Sequence, residues 1–189
     1  MGLMDRRQAM TTLTAASFVP VRDASAAVAA NSNWKQILAE RLPLYGHRNW
    51  IVVADSAYPA QSRDGIETVL SNEDHFEVLR VVRGALAASK HVSPIVYQDH
   101  ELKFVPEKDA PGVENCRREL SSLFKGEKVQ VMPHEQIIAK LDQAGQTFRI
   151  LIIKTTLTVP YTTVFFQLGC AYWSEDAEQR LRAAMGSQG

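Results

Sequence analysis

The sequence predicts an α/β fold with three layers, in which a mostly parallel sheet is flanked by helices. Short apolar runs rich in β-branched residues alternate along the chain with longer segments whose apolar residues recur at helical spacing. That alternation of strands and helices is typical of a parallel sheet with crossover helices. The 189 residues, 46% of them hydrophobic, also suffice for one domain with a substantial core.

Five segments are predicted to be helices, and in the first two the apolar residues recur at helical spacing on one face. Asn33 can cap the first of them, and Gly46 favours its termination. Pro133 favours the start of the fourth, since proline is common in the first helical turn. The last is rich in charged residues and forms a C-terminal extension. The predicted helices cover residues 34–44, 74–89, 113–124, 134–144 and 174–185.

The predicted strands are apolar runs that are too short for buried helices. The strongest of them is FRILII, and the longest is VFFQLGCAYW. These two flank the loop at 155–163, and we expect them to run antiparallel. Residues 65–71 are compatible with either a strand or a short helical turn. The predicted strands cover residues 50–54, 94–105 (as one or two strands), 128–132, 148–153 and 164–173.

The first 26 residues have the features of an export signal. An Arg-Arg pair near the start precedes a weakly apolar run, and the Ala-Ser-Ala triplet at 24–26 fits a cleavage site, as in twin-arginine signals. The protein would then be periplasmic or otherwise exported, whereas a chance arginine pair in a disordered N-terminus would leave it cytoplasmic. The expected organisation is a signal peptide over 1–26, a linker over 27–32, the folded domain over 33–173 and a helical extension over 174–189.

Charge and motif content argue against several classes of function. The 21 basic and 21 acidic residues give zero formal net charge, so the sequence predicts no basic surface for nucleic acid. No stretch beyond the signal is long and apolar enough to span a membrane. The sequence lacks the glycine-rich nucleotide motifs and the common hydrolase motifs, and its histidines and cysteines lack metal-ligand spacing. Cys116 and Cys170 are expected to be buried thiols, with a single disulfide as the alternative.

Residues suited to acid–base chemistry stand at the edges of the apolar runs. His47 and Asp55 flank the strand predicted at 50–54, so they lie at its opposite ends and cannot meet within one strand. A histidine, with an ordinary pKa of about 6.5, can transfer protons near neutral pH. A carboxylate past the carboxyl end of a buried strand often faces a ligand crevice. The alternatives are a histidine that stabilises a helix C-terminus and an aspartate that caps a loop.

Three further polar residues occupy similar positions later in the chain. His134 starts a helix directly after a strand, Lys154 ends a strand, and Tyr161 follows Pro160 in the last long loop. Each could serve a ligand site. The alternatives are a helix-start residue for His134, a solvated strand end for Lys154 and a turn aromatic for Tyr161. The remaining histidines, which are predicted to lie on the surface, are His75, His91 and His100.

The segment GHRNWIVVADSAYPA, residues 46–60, resembles the signature of the ribose pyranase and fucose mutarotase family, which has a Gly-His pair, an apolar strand and then Asp-Ala-x-x-Pro. The His-Glu pair at 134–135, after a strand, matches a second block of that family. The sequence Pro-Tyr-Thr-Thr at 160–163, before the last strand, matches a third block in part. All three blocks occur in the family's order and at its approximate spacing over about residues 40–173.

The resemblance implies a monosaccharide mutarotase or pyranase, an isomerase that interconverts ring or anomeric forms of a free sugar without a metal or other cofactor. It also implies a compact three-layer α/β unit that assembles into a homo-oligomeric ring, with the sugar site between neighbouring subunits. By this resemblance His47 matches the family's general acid. The implied sugar-binding positions are Asp55, His134, Lys154, Tyr161, Thr162 and Thr163.

Four departures from the family's pattern leave other functions open. Thr163 replaces an asparagine, residues 154–157 replace Arg-x-Gly-Glu, Ser56 replaces an alanine, and the helix after Ser174 extends beyond the family's usual end. These changes motivate a second hypothesis, an exported binding module that keeps the sugar pocket without catalysis. A third hypothesis is a structural oligomer that binds no ligand.

Overall fold

A computed structural model describes residues 33–186, which contain a six-stranded sheet and five α-helices. The predicted signal peptide at 1–26 and the linker at 27–32 lie outside the described residues. Export therefore stays a prediction, which the N-terminal residue of the mature protein would test. None of the helices within 33–186 is long and apolar enough to cross a membrane.

Apart from the segments at 65–71 and 94–105, the helices and strands agree with the sequence-based boundaries to within a few residues. The helices are Trp34–Arg41 (α1), His75–Ala88 (α2), Val113–Leu123 (α3), His134–Ala144 (α4) and Glu175–Gly186 (α5). The strands are Trp50–Ala54 (β1), Ile66–Leu70 (β2), Val92–Asp99 (β3), Val129–Met132 (β4), Ile150–Lys154 (β5) and Val164–Cys170 (β6).

The sheet has the strand order β2-β5-β1-β6-β3-β4, and only β6 runs against the other strands. The strands β5 and β6 do run in opposite directions, as expected, but β1 lies between them and pairs with both. The carboxyl ends of β1 to β5 therefore meet at one edge of the sheet, which we call the carboxyl edge. The opposite edge, where these five strands begin, is the amino edge.

Helices cover both faces of the sheet, which confirms the three-layer α/β class. In β1, Ile51 and Val53 belong to the larger core, which α1, α2 and α3 cover. Trp50 and Val52 alternate to the other face, where α4 covers a smaller core. Fully burying an aliphatic side chain of this size contributes about 1.5–3 kcal/mol. The alternation along β1 therefore fixes which face each helix must cover.

Three segments resolve details that the sequence left open or placed differently. Residues 65–71 form a strand, because β2 pairs in parallel with β5 from Ile66 to Leu70. The predicted strand or strands at 94–105 end at Asp99, and a 3₁₀ turn follows at His100–Phe104. The first helix ends at Arg41 and continues as a 3₁₀ turn, since the proline in Leu42–Leu44 has no N–H to donate.

The predicted C-terminal helix is present as α5, and none of its residues is buried. Because β6 is reversed, α5 follows the strand end that lies at the amino edge. Cys116 is buried and Cys170 is half-buried, and both are free thiols, so the alternative of a disulfide between them is not realised.

Candidate functional site

A cleft of about 460 Å³ opens at the carboxyl edge of the sheet. Three segments line it: the turn after β1, the start of α4, and the loop at 158–161 that leads into β6. A cleft of this size is within the range of small-molecule sites, and its position beyond the carboxyl ends of parallel strands is where α/β proteins commonly bind ligands. Three of the residues selected from the sequence line it: Asp55, His134 and Tyr161.

A second groove of similar size lies beside α2, but its charged groups already have partners. Its Arg80 forms ion pairs with Glu77 at 2.6 Å and with Glu119 at 3.4 Å. Its other arginine, Arg83, is paired with Glu127. This groove therefore offers less unsatisfied polar chemistry than the cleft at the carboxyl edge.

Asp55 is held against the cleft wall by two hydrogen bonds to its carboxylate. Its Oδ1 accepts from the N–H of Ala57 at 2.9 Å, an Asx turn that ends β1. Its Oδ2 accepts from the hydroxyl of Thr163 at 3.0 Å. A carboxylate has about four lone-pair positions, so Asp55 can still accept hydrogen bonds from a ligand in the cleft. The alternative of a loop cap is therefore observed, and it leaves lone pairs of the carboxylate free for a ligand.

His134 is fixed at the first turn of α4 by two carboxylates. Its backbone N–H donates to both oxygens of Glu101, at 3.0 and 2.9 Å, so Glu101 stabilises the positive N-terminus of the helix. Its ring Nδ1 lies 3.0 Å from Oδ2 of Asp99. The ring of Tyr161 packs against it edge to face, with 5.6 Å between centroids. Its backbone and its ring are therefore both held in place.

Asp99, which the sequence did not single out, contacts His134 from behind the cleft. Its side chain is 0% exposed, and Oδ1 has no hydrogen-bond partner within residues 33–186. Burial raises the pKa of Asp99 to about 6, although the neighbouring His134 acts to lower it. Like Asp55, it is a carboxylate at the carboxyl end of a parallel strand, but the prediction of strand over 94–105 placed it inside the run and hid that signal.

Tyr161 adopts a backbone conformation that is uncommon for a residue with a side chain. Its φ is 60°, in the left-handed region, and its side chain is 38% exposed. Strained conformations of this kind are often kept at ligand sites because the surrounding structure holds them. Here the loop is anchored by Thr162, whose hydroxyl donates to the carbonyl of Val159 at 2.7 Å.

The prediction that His75 lies on the surface is wrong, because its side chain is completely buried. Its Nε2 lies 3.0 Å from the carbonyl of Thr162 and its Nδ1 lies 3.0 Å from the hydroxyl of Thr155. Burial lowers the pKa of His75 to about 4, so the ring is neutral. Nε2–H then donates to the carbonyl of Thr162, and Nδ1 lies against the hydroxyl of Thr155, which donates to the carbonyl of Ala54 at 2.9 Å. These contacts link the end of β5 to the loop that carries Tyr161.

A spacing signal for this burial was present in the sequence. His75 shares a helical face with Leu79, Val82 and Leu86, all of which are buried. His91 is also not a plain surface residue, since it is half-buried and its Nε2 contacts two backbone carbonyls near the end of α1.

Residues 32–171 match the sequence profile of the RbsD / FucU transport protein family. The chain belongs to this family. No curated protein matches the chain. The family match covers the described fold from before α1 to just after β6, and α5 lies beyond it.

Three solved structures are similar to this member of the RbsD / FucU family. Bacillus subtilis RbsD complexed with D-ribose is 22% identical, covers 74% of this chain and 93% of its own, and has a TM-score of 0.48. The fucose mutarotase from Streptococcus pneumoniae, in complex with L-fucose, is 17% identical, with 70% and 91% covered and a TM-score of 0.46. FucU from Bifidobacterium longum is 15% identical, with 71% and 94% covered and a TM-score of 0.45.

His47, which the sequence resemblance implies as the general acid, lies away from the cleft of its own chain. It is exposed at the amino edge, in a turn that Gly46 and Asn49 close by two hydrogen bonds. The five residues of β1 separate it from Asp55 and alone span about 15 Å. The expectation that His47 and Asp55 lie at opposite ends of one strand is confirmed.

The other three implied sugar-binding residues are not among the residues that line the cleft. Thr162 and Thr163 are buried behind it, and Thr163 contacts the cleft only through Asp55. Lys154 ends β5 as a half-buried residue, and its backbone carbonyl accepts from the N–H and the hydroxyl of Ser71, both at 2.9 Å. The structure thus gives the two threonines supporting positions behind the cleft wall.

Proposed function

We propose that this protein is a monosaccharide mutarotase or pyranase, which interconverts ring or anomeric forms of a free sugar by acid–base catalysis. The observation that carries the proposal is the convergence of Asp55, His134 and Tyr161 on one cleft. These residues come from three separate blocks of sequence, each selected for acid–base or sugar-binding chemistry. Membership of the RbsD / FucU family supports the same class of reaction.

The polar groups of the cleft are suited to a neutral, hydroxyl-rich ligand. Asp55 supplies negatively charged acceptors for sugar hydroxyls, and such charge-assisted hydrogen bonds are about twice as strong as neutral ones. Tyr161 supplies a hydroxyl and an apolar ring for the C–H faces of a sugar. His134 supplies a ring nitrogen that can exchange a hydrogen bond or a proton with a sugar hydroxyl.

Ring opening requires one proton to be delivered to the ring oxygen and one to be removed from the anomeric hydroxyl. A positioned acid or base contributes about 10²–10⁴ in rate. In the proposed reaction His47 is the donor, and a group in the cleft is the acceptor. Because His47 of the same chain is separated from the cleft by β1, the donor is His47 of the partner subunit in a homo-oligomeric ring.

The direct test is saturation-transfer NMR between the anomers of a panel of monosaccharides that includes ribose and fucose. Asp55→Asn removes the charge with little change in shape, and we expect it to slow exchange about 10²-fold by weakening the hold on the sugar. Asp142→Asn is the matched control, since Asp142 is an exposed aspartate on α4 outside the cleft lining. An unchanged exchange rate in Asp55→Asn would contradict the proposal.

A second candidate is an exported binding module that holds a monosaccharide without converting it. The observation that favours it is the engagement of both Asp55 oxygens within the chain, one by Ala57 and one by Thr163. Isothermal titration with the same sugars separates the two candidates. Binding without accelerated exchange supports the module, and accelerated exchange supports the enzyme.

A further inference from the structure

We infer that Asp99 is a positioning residue that fixes the tautomer of His134, so that Nε2 of His134 is the base for the sugar's anomeric hydroxyl. This inference rests on the proposed function and names the acceptor group in the cleft. Its geometric basis is the 3.0 Å contact between Oδ2 of Asp99 and Nδ1 of His134. The carboxyl group is fully buried, whereas the histidine lines the cleft with its side chain 30% exposed.

The contact determines which ring nitrogen carries the proton. A neutral imidazole has one N–H and one lone pair, and a carboxylate can only accept a hydrogen bond. With Asp99 ionised, the proton of neutral His134 is therefore on Nδ1, and the lone pair is on Nε2. Within residues 33–186, Nε2 of His134 has no hydrogen-bond partner, so it is available to a ligand.

Two further contacts fix the position of His134, one to its backbone and one to its ring. Glu101 binds the backbone N–H of His134 through both carboxylate oxygens, which fixes the first turn of α4. Tyr161 packs edge to face on the ring, at an interplanar angle of 83°. A base whose orientation is fixed in advance loses little freedom when the substrate binds, which is a general requirement of efficient proton transfer.

The environment of Asp99 favours a partner that gains positive charge. Its Oδ1 has no protein partner in the described part of the chain, and Asp55 after β1 and Glu101 in the 3₁₀ turn both add negative charge nearby. An isolated buried carboxylate is costly, and a cation in contact with it lowers that cost. When His134 takes up a proton at Nε2, the imidazolium supplies that cation at Nδ1.

The proposed step is balanced in protons and electrons. The proton of the anomeric hydroxyl passes to Nε2 of His134, and the anomeric C–O bond becomes a carbonyl. The bond between the anomeric carbon and the ring oxygen breaks, its electron pair remains on the ring oxygen, and the general acid protonates that oxygen. Ring closure on the other carbonyl face reverses each transfer, so neither group is changed after one cycle.

The first test measures the tautomer of His134 directly, by ¹⁵N NMR of the full protein at about pH 8, where imidazole is mostly neutral. The protein has five histidines, and the spectrum of His134→Gln identifies the signal. We expect a protonated Nδ1 and an unprotonated Nε2. A wild-type ring protonated mainly at Nε2 would overturn the inference, even if the protein has no exchange activity.

The second test compares Asp99→Asn with the control Asp142→Asn in the anomer-exchange assay. An asparagine can donate its amide N–H to Nδ1, which moves the ring proton to Nε2 and removes the base. We expect exchange at saturating sugar to fall about 10²-fold with KM changed less than about 3-fold, and the low-pH limb of the rate profile to shift. Asp142→Asn should keep the wild-type profile.

The outcomes separate this inference from the proposed function. No exchange by the wild type with any sugar removes the proposed function, while the tautomer measurement still decides the role of Asp99. Wild-type exchange together with an unchanged rate and an unchanged His134 tautomer in Asp99→Asn removes the role of Asp99 alone. If Asp99→Asn does not fold, the wild-type tautomer remains the deciding result.

Discussion

The two edges of the sheet differ in how their polar residues are held. At the carboxyl edge, Asp55, Asp99 and His134 are connected by hydrogen bonds to the turns around them and are at least partly buried. At the amino edge, His47 is exposed, and no hydrogen bond joins its side chain to any residue of the described chain. The first edge thus holds its polar groups in fixed positions, whereas the second presents one histidine on an open turn.

The difference follows from the direction of the strands. Five strands end at the carboxyl edge, so the residues that follow them converge there although they are far apart in sequence. In the signature at residues 46–60, β1 separates His47 from Asp55. The two residues therefore lie at different edges of the sheet. If both act on one sugar, a second copy of the chain must bring its amino edge to the carboxyl edge of the first.

The largest effect is expected from mixing two variants, one at each edge. His47→Ala and His134→Gln should each lose exchange activity by about 10²-fold or more, because each removes one of the two proton-transfer groups. Co-refolded at equal amounts, about a quarter of the sites in the mixed ring should combine an intact His47 with an intact His134. Anomer exchange of the mixture, measured against each variant alone, should recover accordingly.

A mixture no more active than its components would show that subunits do not share a site. The control is a mixture of His134→Gln with Asp55→Asn. Both changes are at the carboxyl edge and affect the same cleft, so every site would have at least one defect from its own chain.

The sequence identified some of the polar residues at the carboxyl edge and missed others, for reasons that differ from residue to residue. Asp55 and His134 were found because each directly follows an apolar run, which is a local signal. The pairing of Asp99 with His134 depends on the register of β3 with β4, in which Asp99 lies opposite Met132. Register between strands more than 30 residues apart cannot be read from local spacing.

His75 shows a different reason why a structural role cannot be predicted from the sequence. Its position on the buried face of α2 was visible in the helical spacing, but its partners are in a loop about 80 residues later. The role of a histidine on an apolar helical face cannot be predicted from the sequence until its hydrogen-bond partner is known. The fold class and the order of the other elements, in contrast, depend on periodicity along the chain and were predicted correctly, whereas β2 was left open between a strand and a helical turn.

The second prediction compares a buried histidine at the carboxyl edge with a half-buried one at the amino edge. His75→Phe leaves the buried carbonyl of Thr162 without the ring N–H that it accepts from, so the free energy of unfolding at pH 7 should fall by about 1–3 kcal/mol. His91→Phe, the matched control, should cost about 1 kcal/mol, because its surroundings can hydrate. Urea denaturation measures both.

The same pair of variants tests the pH dependence that burial of His75 implies. Its pKa is lowered to about 4 in the folded protein from an ordinary value of about 6.5, so it contributes stability that is present above pH 6.5 and lost as pH falls through 4. The size of this contribution is about 3 kcal/mol. Asp99, with its pKa raised to about 6, acts in the opposite direction over part of the same range.

Because the two groups oppose each other, the difference between wild type and His75→Phe is the quantity to measure. That difference should shrink by about 3 kcal/mol between pH 7 and pH 4, while the effect of Asp99 cancels. A difference that stays constant over this range would mean that His75 is charged in the folded state, which its burial argues against.

The smallest effect is expected from removing α5, which begins on the side of the amino edge. No residue of this helix is buried, and Leu181 and Met185 are exposed. Deleting residues 174–189 should therefore change the free energy of unfolding of the chain by less than about 0.5 kcal/mol, as for surface changes in general. If the deletion lowers the free energy of unfolding by more than about 1 kcal/mol while the oligomeric mass is unchanged, α5 packs on its own chain. The amino edge would then be less exposed than the position of His47 indicates.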